Sequence, residues 1–136
     1  MKKIIPKIST RGYYDLNSGK TIKKHDYFLY PRKLLKNLTA QEITIVIHGL
    51  RNDKKSANSK FVMAKRKFSQ LGYFYPVIGF SYDSNTKGAH LKKHAKKSFQ
   101  VGQIIAKKNG QNLSKFILDL KKLHPNTRIR LVGHSL

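Results

Sequence analysis

The sequence contains no cysteine, no tryptophan and only six acidic residues, and no long apolar run. The missing cysteine excludes a disulfide scaffold, a thiol nucleophile and a cysteine-based zinc site, and it fits a reducing compartment. No stretch approaches the ~18 apolar residues that a membrane helix needs, so no transmembrane segment is expected. The start, "MKKIIPKIST", has the basic opening of a signal peptide, but Pro6 follows only two apolar residues. No apolar segment of about 7–15 residues comes after it, so the expectation is no signal peptide and a cytoplasmic protein. Scarcity of acid leaves 29 Lys and Arg against 6 Asp and Glu, a formal charge of +23. Such a charge favours solubility and non-specific attraction to polyanions but carries no information about fold. Lys greatly outnumbers Arg, which weakens the case for specific phosphate reading, because only Arg offers a bidentate fork.

What is present is a regular alternation. At 136 residues the chain is expected to form one domain. Residues 1–42 are the least regular part; "STRGYYDLNSG" and "HDYFLYP" read as two short strands forming an edge hairpin. Thr39 to Glu42, "TAQE", matches a capping box, but the β-branched run behind it argues against a helix. Residues 43–136 read as a βαβαβ unit. Ile43 to Ile47 and Val77 to Phe80 are apolar runs suited to strands buried on both faces. Between them Ala57, Phe61, Ala64, Phe68 and Leu71 share one helical face, with Asp53 as N-cap and Gly72 at the C-terminal cap position. Val101, Ile105, Leu113, Phe116, Ile117, Leu120 and Leu123 mark a second, longer helix that Asn109-Gly110 is expected to split or kink. A third strand spans Ile129 to Val132. Strands alternating with helices imply an α/β fold, a mainly parallel sheet with helices on both faces.

Sites in such sheets lie at the carboxyl ends of the strands. Here those ends are His48-Gly49-Leu50, Ser81-Tyr82-Asp83 and Gly133-His134-Ser135. Gly133, His134, Ser135 and Leu136 fill the first four positions of the G-x-S-x-G nucleophile elbow, in which small flanking residues let a serine occupy a sharp strand-to-helix turn. Ser135 is the candidate nucleophile. Gly49 allows a turn whose backbone N–H faces a developing oxyanion, so the Leu50 and Leu136 N–H groups are the candidate donors. His48 is expected to shape its turn instead of transferring protons, and Tyr82 and Asp83 are candidate pocket-lining residues. His90 and His94 are spaced like a metal pair but lack the intervening Glu of H-E-x-x-H. No metal and no organic cofactor are expected.

Taken together, "ITIVIHGL", "YPVIGFSYDS" and "RIRLVGHSL" resemble the third, fourth and fifth strands of the α/β-hydrolase superfamily, with wording most similar to archaeal esterase- or lipase-like members. The resemblance covers roughly residues 8–136, with its specific motifs in 43–136. It implies serine-dependent hydrolysis of a small-molecule or lipid ester, with Ser135 attacking and Leu50 and Leu136 holding the oxyanion. It also implies that the triad acid and histidine, and most of the acyl pocket, follow the serine in chain order. On that reading the 136 residues hold the fold only as far as its fifth strand, and this chain by itself is expected to be inactive. The strand at Ile129 to Val132 is then an apolar edge, open to oligomerisation or aggregation. The competing reading is a basic nucleic-acid-binding or non-catalytic interaction module. Aromatics among cations, as in "KKHDYFLYPRK", can stack bases while the cations hold phosphates.

Overall fold

A computed structural model describes residues 5–23, 26–84 and 95–133. The elements in chain order are β1 (Lys7–Ser9), β2 (Phe28–Tyr30), α1 (Leu34–Asn37), β3 (Glu42–Ile47), α2 (Lys54–Gln70), β4 (Val77–Ser81), α3 (Ala95–Leu123) and β5 (Arg128–Gly133). The strands form one sheet in the order β2-β1-β4-β3-β5. β1, β4, β3 and β5 run parallel, and β2 is the antiparallel strand at one edge. The fold is α/β with a mostly parallel sheet, as the alternation of the sequence implies.

Side-chain alternation in the central strands sorts the two faces. Ile43 and Ile45 of β3, Ile78 and Phe80 of β4 and Ile8 of β1 point to a large apolar cluster. Val101, Ile105, Phe116 and Leu120 of α3 and Leu34 of α1 complete that cluster. Val46 and Val77, the alternate positions, pack instead with Ala57 and Phe61 of α2. β3 and β4 are thus covered on both sides, which is why their sequences are continuous apolar runs without a polar alternation.

The helix boundaries follow local chemistry. Asp53 caps α2: its carboxylate accepts from the Ser56 N–H at 2.8 Å, and Ser56 Oγ accepts from the Asp53 N–H at 3.0 Å. Gly72, with φ +84°, takes the left-handed position just past the end of α2. The apolar face of α2 is buried at Ala57 and Phe61 but not at its far end, where Leu71 is 82% exposed.

Three expectations from the sequence are corrected. The first strand is Lys7–Ser9 and lies ahead of the Tyr13-Tyr14 segment. It does pair with β2 antiparallel, but it also pairs with β4 in parallel, so of these two strands β2 alone lies at an edge. Asn109-Gly110 does not interrupt the second helix, because α3 runs unbroken over 29 residues. The Asn109 amide donates to the Ile105 carbonyl one turn back at 3.1 Å, and its oxygen accepts from Thr10 Oγ1 at 2.6 Å. An asparagine that elsewhere would compete with helical backbone bonds is here tied down by tertiary partners. Gly110 carries the usual penalty of a mid-helix glycine, roughly 0.5–1 kcal/mol relative to Ala.

β5 is the other edge of the sheet, with Leu131 51% and Val132 38% exposed. At the amino end of the sheet, buried Glu42 pairs with Arg130 at 3.0 Å and Arg128 at 3.6 Å. Those two contacts favour the register in which Glu42 sits opposite Arg128.

Gly79 in the middle of β4 is required by packing. A Cβ there would overlap the ring of Phe61, which is fully buried between α2 and the sheet. Gly79→Ala is expected to destabilise the protein by about 1–3 kcal/mol through overpacking. Urea unfolding would read this as a lower midpoint; an unchanged midpoint would contradict the packing described.

Candidate functional site

Four parallel strands end at the same edge of the sheet. The register pairs Ser9 with Ser81 and Ile47 with Phe80 and with Gly133. The residues after β1, β3 and β4, Thr10-Arg11-Gly12, His48-Gly49-Leu50 and Tyr82-Asp83-Ser84, therefore meet, and β5 ends at Gly133 beside Ile47, the last residue of β3. Two of the three tips singled out in the sequence are brought together here. The third continues from Gly133, but His134, Ser135 and Leu136 lie outside the described residues, as do His90 and His94.

His48 is the hub of a buried polar cluster. Its Nε2 accepts from the Tyr82 N–H at 3.1 Å, which leaves the ring proton on Nδ1, facing the Gly49 carbonyl at 2.8 Å. The Tyr82 ring stacks on the imidazole, with centroids 4.3 Å apart and planes 10° from parallel, and its hydroxyl donates to the His48 carbonyl at 3.0 Å. Burial pushes the His48 pKa from its ordinary 6.5 down to about 4, with the nearby Arg11 cation acting in the same direction. Both ring nitrogens are engaged and the ring is neutral at pH 7. His48 shapes the turn and is no general base.

The turn after β3 is pinned through one oxygen. Three polar groups converge on the Gly49 carbonyl: His48 Nδ1 at 2.8 Å, Ser84 Oγ at 3.0 Å and Asn52 Nδ2 at 3.1 Å. Asn52 Nδ2 also donates to the Leu50 carbonyl at 3.0 Å, and Ser84 Oγ accepts from the Asn52 N–H at 3.2 Å. Arg51 takes a left-handed conformation, φ 60°, to close this loop, a backbone state that costs a non-glycine residue on the order of 1 kcal/mol. A trans peptide is planar, so its C=O and N–H point in opposite directions. With the Gly49 oxygen drawn into the cluster, the Leu50 N–H is turned away from it, and no acceptor for that N–H lies among the described residues.

Arg11 braces the cluster from the β1 tip. Its Nε donates to Ser81 Oγ at 2.8 Å, its Nη1 and Nη2 each lie 3.3 Å from the Asn52 carbonyl, and Nη2 is also 3.3 Å from His48 Nε2. Asp83 accepts from the Gly12 N–H at 2.7 Å and faces Arg11 Nη1 at 3.6 Å. These contacts occupy Asp83 in holding the β1 tip, and burial lowers the Arg11 pKa against the opposing pull of Asp83. The sequence reading missed Arg11, Asn52 and Ser84. Arg11 sits in the irregular amino-terminal segment, and only knowledge that β1 lies beside β4 would have drawn attention to it.

Among the described residues no three His, Asp or Glu side chains are grouped as metal ligands. Among the same residues no helix is long and apolar enough to cross a membrane. Of the aromatic-basic segment, Tyr27 packs edge-on against Phe116 with centroids 5.4 Å apart and donates to Asp119, whereas Phe28 and Tyr30 stand exposed on β2.

The His48 shift gives stability a pH dependence. Between about pH 4 and 6.5 the unfolded chain binds a proton at His48 that the folded chain refuses. Its stabilising contribution is therefore complete above pH 6.5 and is lost as the pH falls toward 4, by up to about 3 kcal/mol. Urea unfolding at pH 7 and pH 4.5 should show this loss in the parent protein and a smaller one in His48→Gln. Equal losses in both would contradict the role of His48.

No family model, curated protein or solved structure matches the chain, so the reading of this site rests on its own residues and geometry.

Proposed function

We propose that this protein carries the nucleophile and oxyanion donors of a serine hydrolase acting on ester-like bonds, within an α/β-hydrolase-like fold. The observation that carries the reading is the pinned Gly49 carbonyl, which turns the Leu50 N–H outward at the carboxyl end of β3. β3 pairs in parallel with β5 up to Ile47 and Gly133, and Ser135 follows Gly133 by two residues, a reach of at most about 7 Å. A backbone N–H held in a fixed direction at this end of the sheet is the kind of donor an oxyanion hole requires, one oriented before charge develops. Leu136, directly after the nucleophile, would supply the second N–H.

The base that Ser135 needs is not among the described residues. His48 uses both nitrogens in the turn, and His124 Nε2 lies 2.9 Å from the Leu35 carbonyl, beyond the opposite end of β5. A serine without a base is a weak nucleophile at neutral pH, and the missing general base is worth roughly 10²–10⁴ in rate.

Hydrolysis of p-nitrophenyl acetate by the 136-residue chain and by the protein purified from its native cells tests the reading. The 136-residue chain is expected to show no Ser135-dependent turnover. The native protein is expected to turn the ester over and, given a p-nitrophenyl alkylphosphonate instead, to form a phosphonyl adduct at Ser135 with release of p-nitrophenolate; Ser135→Ala should lower its rate at least about a hundredfold. Native protein that is inactive, or whose rate is unchanged by Ser135→Ala, overturns the hydrolase reading. Salt-resistant, sequence-selective binding to nucleic acid in such a protein would favour the basic binding module instead.

A further inference from the structure

The turn between α2 and β4 presents the two most exposed large apolar side chains among the described residues, Leu71 at 82% and Phe74 at 83%. Neither is needed to make the turn. Gly72 ends α2 in a Schellman cap: the Tyr73 N–H donates to the Phe68 carbonyl at 2.8 Å and the Gly72 N–H to the Ser69 carbonyl at 3.1 Å. The apolar contact that accompanies such a cap is made by the rings of Tyr73 and Phe68, with centroids 5.5 Å apart. Thr44 Oγ1 donates to the Tyr73 hydroxyl at 2.7 Å and ties the turn to β3. The turn is thus fixed from the inside, and Leu71 and Phe74, on either side of Gly72-Tyr73, project from it already ordered.

The surroundings carry charge of one sign. Residues 54–76 include six Lys and Arg and no Asp or Glu. Lys60, Met63, Lys67 and Leu71 follow one another at steps of three, four and four along α2 and its cap, so they form one stripe on its flank. Met63, between the two lysines, is itself 57% exposed. Apolar tips flanked by lysines are the composition of a surface that rests in the boundary between headgroups and acyl chains.

We infer that this turn is a docking surface for an anionic lipid bilayer, in which Leu71 and Phe74 enter the acyl boundary while Lys60 and Lys67 meet the headgroups. Charge decides against a second copy of the chain, which would set like charges against each other. Shape decides against an acidic protein: side chains that project this far need pockets in a folded partner, whereas a bilayer yields to them. Nucleic acid would satisfy the lysines, but Met63 and Leu71 offer a base no aromatic face to stack on. The turn lies at the amino end of β4, the opposite end of the sheet from His48 and Gly49. The inference is therefore independent of the hydrolase reading, and a bilayer held here leaves the carboxyl ends of the strands free.

The chain has no tryptophan, so Phe74→Trp places a single reporter in the turn. That variant of the 136-residue chain is mixed with vesicles of phosphatidylcholine alone or with about 30% phosphatidylserine. The expected result is a blue shift of emission, with quenching by brominated acyl chains, on the phosphatidylserine vesicles only. Leu118→Trp, at a 58%-exposed position of α3 on the other face of the sheet, should bind the same vesicles with neither change. In sedimentation with these vesicles, Leu71→Ser combined with Phe74→Ser, and Lys60→Gln combined with Lys67→Gln, should each weaken binding at least about tenfold. Leu118→Ser should leave it unchanged. Emission of Phe74→Trp that does not shift on vesicles that sediment the protein would overturn the inference. So would full retention of binding by the paired serine variant, which would mean electrostatic adhesion alone. A chain that sediments with neither vesicle, but loses affinity for a single-stranded oligonucleotide in the paired serine variant, would overturn it in favour of nucleic acid.

Discussion

The Gly49 carbonyl oxygen is the point on which the candidate site depends. A backbone oxygen usually accepts one or two hydrogen bonds; here an imidazole, an amide and a hydroxyl all converge on it. Each of those groups is in turn fixed by another tip of the sheet. The imidazole is held by the Tyr82 backbone and ring, and the hydroxyl belongs to Ser84, both just past β4. The amide belongs to Asn52, whose carbonyl is gripped by Arg11 from β1. Among the described residues no buried polar side-chain atom is left without a partner, so the network is satisfied and rigid rather than half-made. The Leu50 N–H direction is a consequence of that saturation, through the planarity of one peptide.

The same economy governs the scarce carboxylates. Five of the six acidic residues hold structure: Asp15 caps its own turn, Asp53 caps α2, Glu42 binds two arginines of β5, Asp83 ties the β1 tip, and Asp119 pairs with Lys115 and Tyr27. Among the described residues most Lys and Arg side chains have no acidic partner, and with a formal charge of +23 the chain is strongly positive and self-repelling. That repulsion opposes pairing through the exposed β5 edge and weakens as salt screens it.

Much of this was legible in the sequence, and the parts that were not have physical reasons. β3 and β4 could be read directly because strands buried on both faces must be apolar throughout. Asp53 and Gly72 could be read because helix ends have few chemical solutions. β1 could not, because three residues carry no period, and its inclusion between β2 and β4 is a tertiary fact. With β1 unplaced, nothing in the sequence singled out Arg11. Asn109-Gly110 read as a break because local propensity says so, and the Thr10 partner that overrides it lies 99 residues away. At the site, the residue types at the β3 and β4 tips were visible, but the convergence on a single oxygen was not, since Asn52 and Ser84 are ordinary residues for a polar loop.

The most direct test of the account is the Leu50 amide itself. Its proton would be followed by ¹⁵N-edited NMR in the native protein as a monoanionic p-nitrophenyl alkylphosphonate converts Ser135 to its phosphonyl adduct and expels p-nitrophenolate, which places an anionic oxygen where the oxyanion would form. The account predicts a marked downfield shift of the Leu50 amide proton that is absent in Ser135→Ala. An unchanged Leu50 resonance in fully phosphonylated protein, or a shift that does not depend on Ser135, would contradict it.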